Sequence, residues 1–219
     1  MASSQRLFCS NRIHCAVRAY NRQGTDKHML TGIPQSVAIL VTGLCYYAVD
    51  FWLIRHFDRG QASSARSWRY TSLMVAFWTL LVVQPVLLPR LGLSTAAWGG
   101  LVVQGTGLVL IVVGLGLHWW ARSHLKHFYV EDVQFQEGQH LVDTGPYSRV
   151  RHPVFSSFFL IALGMVCVNP AITTLAMLVY VAIDFTRAAG REEALLSDKL
   201  PQYTEYVEHT GRFFPKCGR

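Results

Sequence analysis

The chain of 219 residues is 51% hydrophobic and only 15% charged, and it carries a formal net charge of +7. With a mean hydropathy of +0.25, that balance argues against a soluble globular chain and for one that lives in a membrane. The basic excess does not point to nucleic acid, because the lysines and arginines flank apolar runs rather than forming a separate soluble face.

The apolar residues come in blocks. Residues 36–54 contain one charge, Asp50, while 71–89, 96–117 and 153–183 contain none. About 20 residues of helix cross a hydrocarbon core. The last block is too long for one span and breaks at Asn169-Pro170, so it reads as a tight hairpin of two short helices, 154–168 and 171–187. An all-α integral membrane protein with about five transmembrane helices is therefore predicted. In the first helix, 36–56, Asp50 sits near one end, where pairing with Arg55 or another nearby cation is favoured over a separate functional site. Arg55 to Arg69 form a solvated loop. The second helix, 70–89, should kink or stop at Gln84-Pro85 and Pro89. The third, 96–120, carries glycines at 99, 100, 105, 107, 114 and 116, which suit close packing, and ends in His118-Trp119-Trp120, an aromatic belt before Arg122.

Five spans put six of the 20 Lys and Arg on one side, in the N-terminal tail and at Arg90, and fourteen on the other. The positive-inside rule then places the C-terminus and the polar clusters of the second half in the cytoplasm. Residues 1–28 are basic and lie on the side the rule keeps poor in charge. Either they are a targeting segment or the true start is Met29; an intact Met1 or Ala2 terminus in the natural protein would remove both explanations. Residues 29–120 then hold three helices, and 121–219 form the functional core around the hairpin 153–187. Cys9, Cys15, Cys45, Cys167 and Cys217 are scattered without CxxC spacing and imply neither a zinc site nor a disulfide framework.

In that core, residues 121–152 make a connection longer than two adjacent helices need. It ends in Gly145-Pro146-Tyr147-Ser148-Arg149-Val150-Arg151-His152-Pro153, where a turn, an aromatic and three cationic or titratable side chains meet an apolar helix. Pro153 suits the first turn of a helix, whose N-terminus favours an anionic ligand group. Beyond the hairpin, Asp184, Arg187 and Arg191 share a helix face, Glu192 and Glu193 follow, and Leu200, Tyr203, Tyr206 and Val207 recur at the spacing of an interfacial amphipathic helix. Tyr203 and Tyr206 read as interface anchors. Because the hairpin turn is short, its polar entrance and exit must be close in space.

The run HLVDTGPYSRVRHPVF, the hairpin turning at Asn-Pro, then REEALL and YTEYVEHTGRFFP together resemble the isoprenylcysteine carboxyl methyltransferase family of integral membrane methyltransferases, whose relatives act on phospholipids and small thiols. The resemblance implies S-adenosylmethionine as methyl donor and a lipophilic or small acceptor, carboxylate, thiol or amine, that enters from the bilayer. It further implies that Gln139, His140, Leu141 and Val142 line the cofactor pocket and that Tyr147 and His152-Pro153-Val154-Phe155 form its wall. Glu192 would hold the donor's amino group, with Glu193 beside it; a solvated helix residue is the plainer reading of Glu193. Arg187, at the acceptor side, and Arg151 are the catalytic candidates, while Arg149 reads equally as a cation for lipid headgroups. Phe155 stands where the family usually has Tyr, Ser157 where Gly is common, and Gln139 where a histidine is common. These departures leave the acceptor open.

The chemistry asks little of side chains, since a sulfonium methyl is already activated and needs alignment and exclusion of water. Aromatic faces such as Tyr147 and Phe155 suit the cation. An anionic acceptor would be oriented by Arg187, whereas an amine would need His152 or Glu193 to take its proton. A membrane reductase of the sterol type using NADPH, and a non-enzymatic membrane scaffold, are the alternatives.

Overall fold

In hydrocarbon a backbone must satisfy its own N–H and C=O groups, so apolar blocks of this length fold as helices. The computed structural model describes residues 30–57, 68–92, 100–125 and 141–216, with 68–74 as backbone only. In order come α1 (Ile33–Phe57), α2 (Trp68–Leu87), α3 (Gly100–Leu125), α4 (Pro153–Val168), α5 (Ile172–Lys199) and α6 (Tyr203–His209), with 3-10 turns at Pro89–Leu91 and Gly145–Ser148. The fold is all-helical, and the described residues contain no strand.

All five predicted apolar helices are present. Three of them, α1, α3 and α5, are long and apolar enough to cross a membrane, while Val75–Leu87 and α4 are shorter apolar helices. Leu44 and Phe51 on α1, Val109 and Val112 on α3, and Val179 and Ile183 on α5 are exposed, an outward apolar surface of the kind that lipid covers. α3 runs to Leu125, so Arg122 lies inside the helix rather than past its end. Pro85 likewise stands inside α2, which stops two residues later. The basic tail, residues 58–67 of the loop after α1, and residues 126–140 with Gln139 and His140 lie outside the described residues.

Close helix contact is made by one row of the α3 glycines. A Cβ at Gly107 would stand 2.7 Å from the Gly164 carbonyl oxygen, and one at Gly114 would stand 2.7 Å from Ile161 Cγ1. Gly105 and Gly116 have nothing within 4 Å of a Cβ position, so they serve no such contact. Around this seam Ile39, Leu81, Ile111, Ile161, Met165, Val168 and Met177 form the core.

The hairpin tip is a backbone turn at the far end of the bundle, and polar side chains satisfy it. The Val168 carbonyl, left over at the end of α4, accepts from Gln35 Nε2 at 3.1 Å and Gln104 Nε2 at 3.2 Å. Asn169 Nδ2 donates to Gln84 Oε1 at 2.7 Å, and Thr174 Oγ1 to the Asn169 carbonyl at 2.7 Å. Helices α1, α2 and α3 thus each send a glutamine to the turn, which sets how α4 and α5 leave it.

Candidate active site

At the opposite end of α4 the predicted run folds as a tie between two remote segments. Gly145 takes a positive φ of 60°, a conformation that costs glycine least, and turns the chain into Gly145–Ser148. Tyr147 and Val154 are buried there against Ala121 of α3, with Val142 packed on them. Past this anchor the backbone pairs with the C-terminal segment: Arg151 N donates to the Gly211 carbonyl at 2.8 Å, Gly211 N to Arg149 at 3.0 Å and His152 N to Arg212 at 3.0 Å. Ser156 Oγ adds a bond to the Phe213 carbonyl at 2.6 Å, and Tyr206 Oη one to the Tyr147 carbonyl at 2.7 Å. Tyr203 is buried as well. Both tyrosines therefore pack inward, and the expectation that they anchor an interface is corrected, because α6 is folded back onto the entrance of α4.

That arrangement presses five charged or titratable side chains together. His152 places Nδ1 3.2 Å from Glu192 Oε2 and Nε2 3.2 Å from Glu193 Oε1. Arg151 Nε donates to Glu193 Oε1 at 2.9 Å and its Nη1 to the Thr210 carbonyl at 2.6 Å, while Arg212 Nη2 reaches Glu193 Oε2 at 2.7 Å. Glu193 therefore bonds through both oxygens. Burial by itself would raise its pKa, but hydrogen bonds from His152, Arg151 and Arg212 win and hold it at about 2. Burial would lower the His152 pKa, and bonds to Glu192 and then Glu193 outweigh it, so the imidazole is held above its ordinary value.

Glu192 is different. Among the described residues it has one ion pair, through Oε2, and its side chain is 41% exposed. Beside it an aromatic stack begins: His152 lies parallel to Phe155 at 5.4 Å between centroids, and Phe155 parallel to Phe185 at 4.8 Å.

The structure brings together Tyr147, Arg151, His152, Pro153, Phe155, Glu192 and Glu193, with Leu141 and Val142 half-buried nearby. It does not bring Arg187 into the ion cluster; Arg187 is exposed on α5. Arg149 is also exposed, beside a cavity of about 280 Å³ lined by Ser148, His209, Pro215 and Lys216. The Glu192 and Glu193 carboxylates reach the entrance of α4 through the side chain of His152. Arg212, the Thr210 carbonyl and Phe185 are partners that the sequence reading missed. A surplus of arginines around two adjacent glutamates was the available signal for Arg212. Asp50 does pair with a cation, but at 3.2 Å with Arg122, 72 positions away, because α1 crosses α3 at that level.

With this geometry in view, residues 107–198 match the model of the Isoprenylcysteine carboxyl methyltransferase (ICMT) family. The "Nickel-cobalt-cadmium resistance protein NccN" of Alcaligenes xylosoxydans xylosoxydans is 33% identical over 85 residues, 38% of this chain and 40% of that one. The "Cobalt-zinc-cadmium resistance protein CzcN" of Cupriavidus metallidurans is 25% identical over 143 residues, 65% of this chain and 63% of that one. The chain thus spans under two thirds of each of these relatives. A solved structure of the eukaryotic intramembrane Ras methyltransferase ICMT superposes with a TM-score of 0.61 at 24% identity, covering 83% of this chain and 68% of that one. Residues 107–198 thus carry the match to the isoprenylcysteine carboxyl methyltransferase family model, and the described fold is ICMT-like.

Proposed function

We propose that this protein is an S-adenosylmethionine-dependent methyltransferase of the membrane, with its site at the paired mouth of the α4–α5 hairpin facing the cytoplasm. One observation carries the reading: a half-exposed carboxylate, Glu192, stands beside a histidine whose ring begins an aromatic stack leading along α4. The residues fit the donor's chemistry. Glu192 suits an ammonium group, and the faces of Phe155 and Phe185 suit a cationic sulfonium and a purine. When bound, the donor supplies an activated methyl group; the protein's task is to align it and exclude water.

The other side chains have derived roles. Glu193 bonds Arg151, His152 and Arg212 and so fixes the ring of His152 and the path of the C-terminal segment. Arg151 works as a clamp between Glu193 and the Thr210 carbonyl. Leu141 and Val142 belong to the pocket side of the Tyr147 anchor, with Gln139 and His140 preceding them in sequence. Arg187, exposed on α5 five residues before Glu192, is the candidate cation for the acceptor side of the site.

Binding of S-adenosylmethionine by detergent-purified protein, followed by methyl-label profiling of lipid and thiol extracts, tests the reading. Saturable donor binding, weakened at least about tenfold by Glu192→Gln, is expected. No donor binding together with tight NADPH binding would overturn it.

A further inference from the structure

A second group of ionisable side chains lies inside the bundle. Asp50 of α1 and His118 and Arg122 of α3 are 6%, 0% and 3% exposed, on two of the helices long and apolar enough to span a membrane. Arg122 Nη2 donates to Asp50 Oδ1 at 3.2 Å, whereas His118 Nε2 stands 3.9 Å from that same oxygen, beyond hydrogen-bond reach. On the other side of the ring, Ser157 Oγ lies 3.4 Å from Nδ1 and 2.5 Å from the Val154 carbonyl. The hydroxyl proton goes to that carbonyl, so Nδ1 is the donor toward Ser157 and Nε2 of the neutral ring carries a lone pair. That atom is fully buried with no hydrogen-bond partner, and it faces a carboxylate. A buried acceptor nitrogen without a partner in a low-dielectric interior calls for a proton donor.

The position relates directly to the hairpin site. Rings run without a break from His152 to Phe155 and Phe185, then from Phe185 to Phe158 at 5.0 Å and from Phe158 to His118 at 5.3 Å. Ser157 follows His152 by five residues, about 7.5 Å of axial rise, so the buried histidine sits deeper along the same wall. α3 packs on both α1 and α4, while α1 and α4 meet through side chains such as Tyr46 and Phe158, 5.5 Å apart and both half-buried. A pair of rings thus closes the seam between α1 and α4.

We infer that Asp50 and His118 form an intramembrane acceptor subsite for an uncharged, proton-bearing nucleophile, an N–H or S–H group on an apolar chain, and that His118 Nε2 takes its proton. The inference rests on the methyl-transfer reading. The nitrogen or sulfur lone pair forms the bond to the methyl carbon, and the carbon–sulfonium bond breaks with its electron pair passing to the donor's sulfur. The N–H or S–H proton passes to Nε2. Asp50, held by Arg122, stabilises the imidazolium. A carboxylate acceptor has no proton to give and would set a second anion against Asp50.

Full-length protein, His118→Gln and Asp50→Asn are supplied with labelled S-adenosylmethionine and, in separate reactions, dodecanethiol, dodecylamine or dodecanoate. Donor affinity and Tm are measured alongside. Label is expected on the thiol or the amine, with kcat about 100-fold lower in His118→Gln while donor affinity and Tm are kept, and with a smaller loss in Asp50→Asn. Without donor present, dodecanethiol or dodecylamine should also shift the nitrogen NMR resonance of His118 in the wild type, and dodecanoate should not. Label on dodecanoate alone or on no probe, turnover of His118→Gln within about threefold of wild type, or an unmoved His118 resonance overturns the subsite. Wild-type protein that binds no donor overturns the methyl-transfer reading itself, a result distinct from all of these.

Discussion

Glu193→Gln removes one charge and keeps the shape of the side chain, so it isolates what that charge holds together. The carboxylate lies between Arg151 at 2.9 Å, His152 at 3.2 Å and Arg212 at 2.7 Å, three groups that tie the entrance of α4 to the C-terminal segment. The drop of its pKa from 4.5 to about 2 corresponds to roughly 3 kcal/mol. Solvent reaches a side chain that is 19% exposed, which reduces the expected loss to about 2 kcal/mol. In a chain of this length that is a fall in Tm of about 4–8 °C, measured in detergent by tryptophan fluorescence, with earlier tryptic cleavage after Arg212 and Lys216. The pH dependence adds a second requirement. A depressed carboxylate stabilises above 4.5 and loses that contribution as pH falls toward about 2. The raised His152 contributes fully below 6.5 and loses its share as pH climbs through its folded value. The gap between wild type and variant should therefore be widest between pH 4.5 and 6.5 and close in strong acid. A Tm shift under about 1 °C, or a gap that is flat across that range, would refute the clamp.

Glu192→Gln should leave Tm within about 1 °C and weaken S-adenosylmethionine binding at least about tenfold by calorimetry; retained affinity removes Glu192 from the donor site. Arg187→Ala should lower turnover with donor affinity nearly kept, and equal turnover would take Arg187 out of the acceptor site. Gly114→Val should cost about 1–3 kcal/mol through the clash with Ile161, whereas Gly116→Ala, with nothing within 4 Å of its Cβ position, should not lower Tm. Tyr206→Phe should cost about 1 kcal/mol by deleting the bond to the Tyr147 carbonyl, seen as faster hydrogen exchange in residues 203–213.

Much of the fold was legible because its signals are local. Windows without charge marked the apolar helices, and Asn169-Pro170 marked the turn between α4 and α5, since hydrocarbon and proline each act on a few adjacent residues. The GPYSRVRHP run was legible as a place where charge meets the start of an apolar helix for the same reason: a turn, charges and a helix start sit side by side. Partners were not legible where the chain had to return from afar. Arg212 meets Glu193 only because α6 folds back, and the pairing of Asp50 with Arg122 needs α1 to cross α3. The glycines show the same limit, since spacing on α3 alone does not say that Gly107 and Gly114 face α4 while Gly105 and Gly116 do not.

By itself, then, the sequence determined which segments are apolar helices, where the hairpin turns, and that charge gathers at both of its open ends, because each follows from the free energy of a short stretch in lipid or water. Tertiary structure alone decided which charges neutralise one another, leaving Glu192 half-exposed while Glu193 is fully bonded, and left His118 facing Asp50 without a hydrogen bond. Electrostatic partnership depends on distance and burial between residues far apart in the chain, and the order of residues does not encode either until the helices have packed.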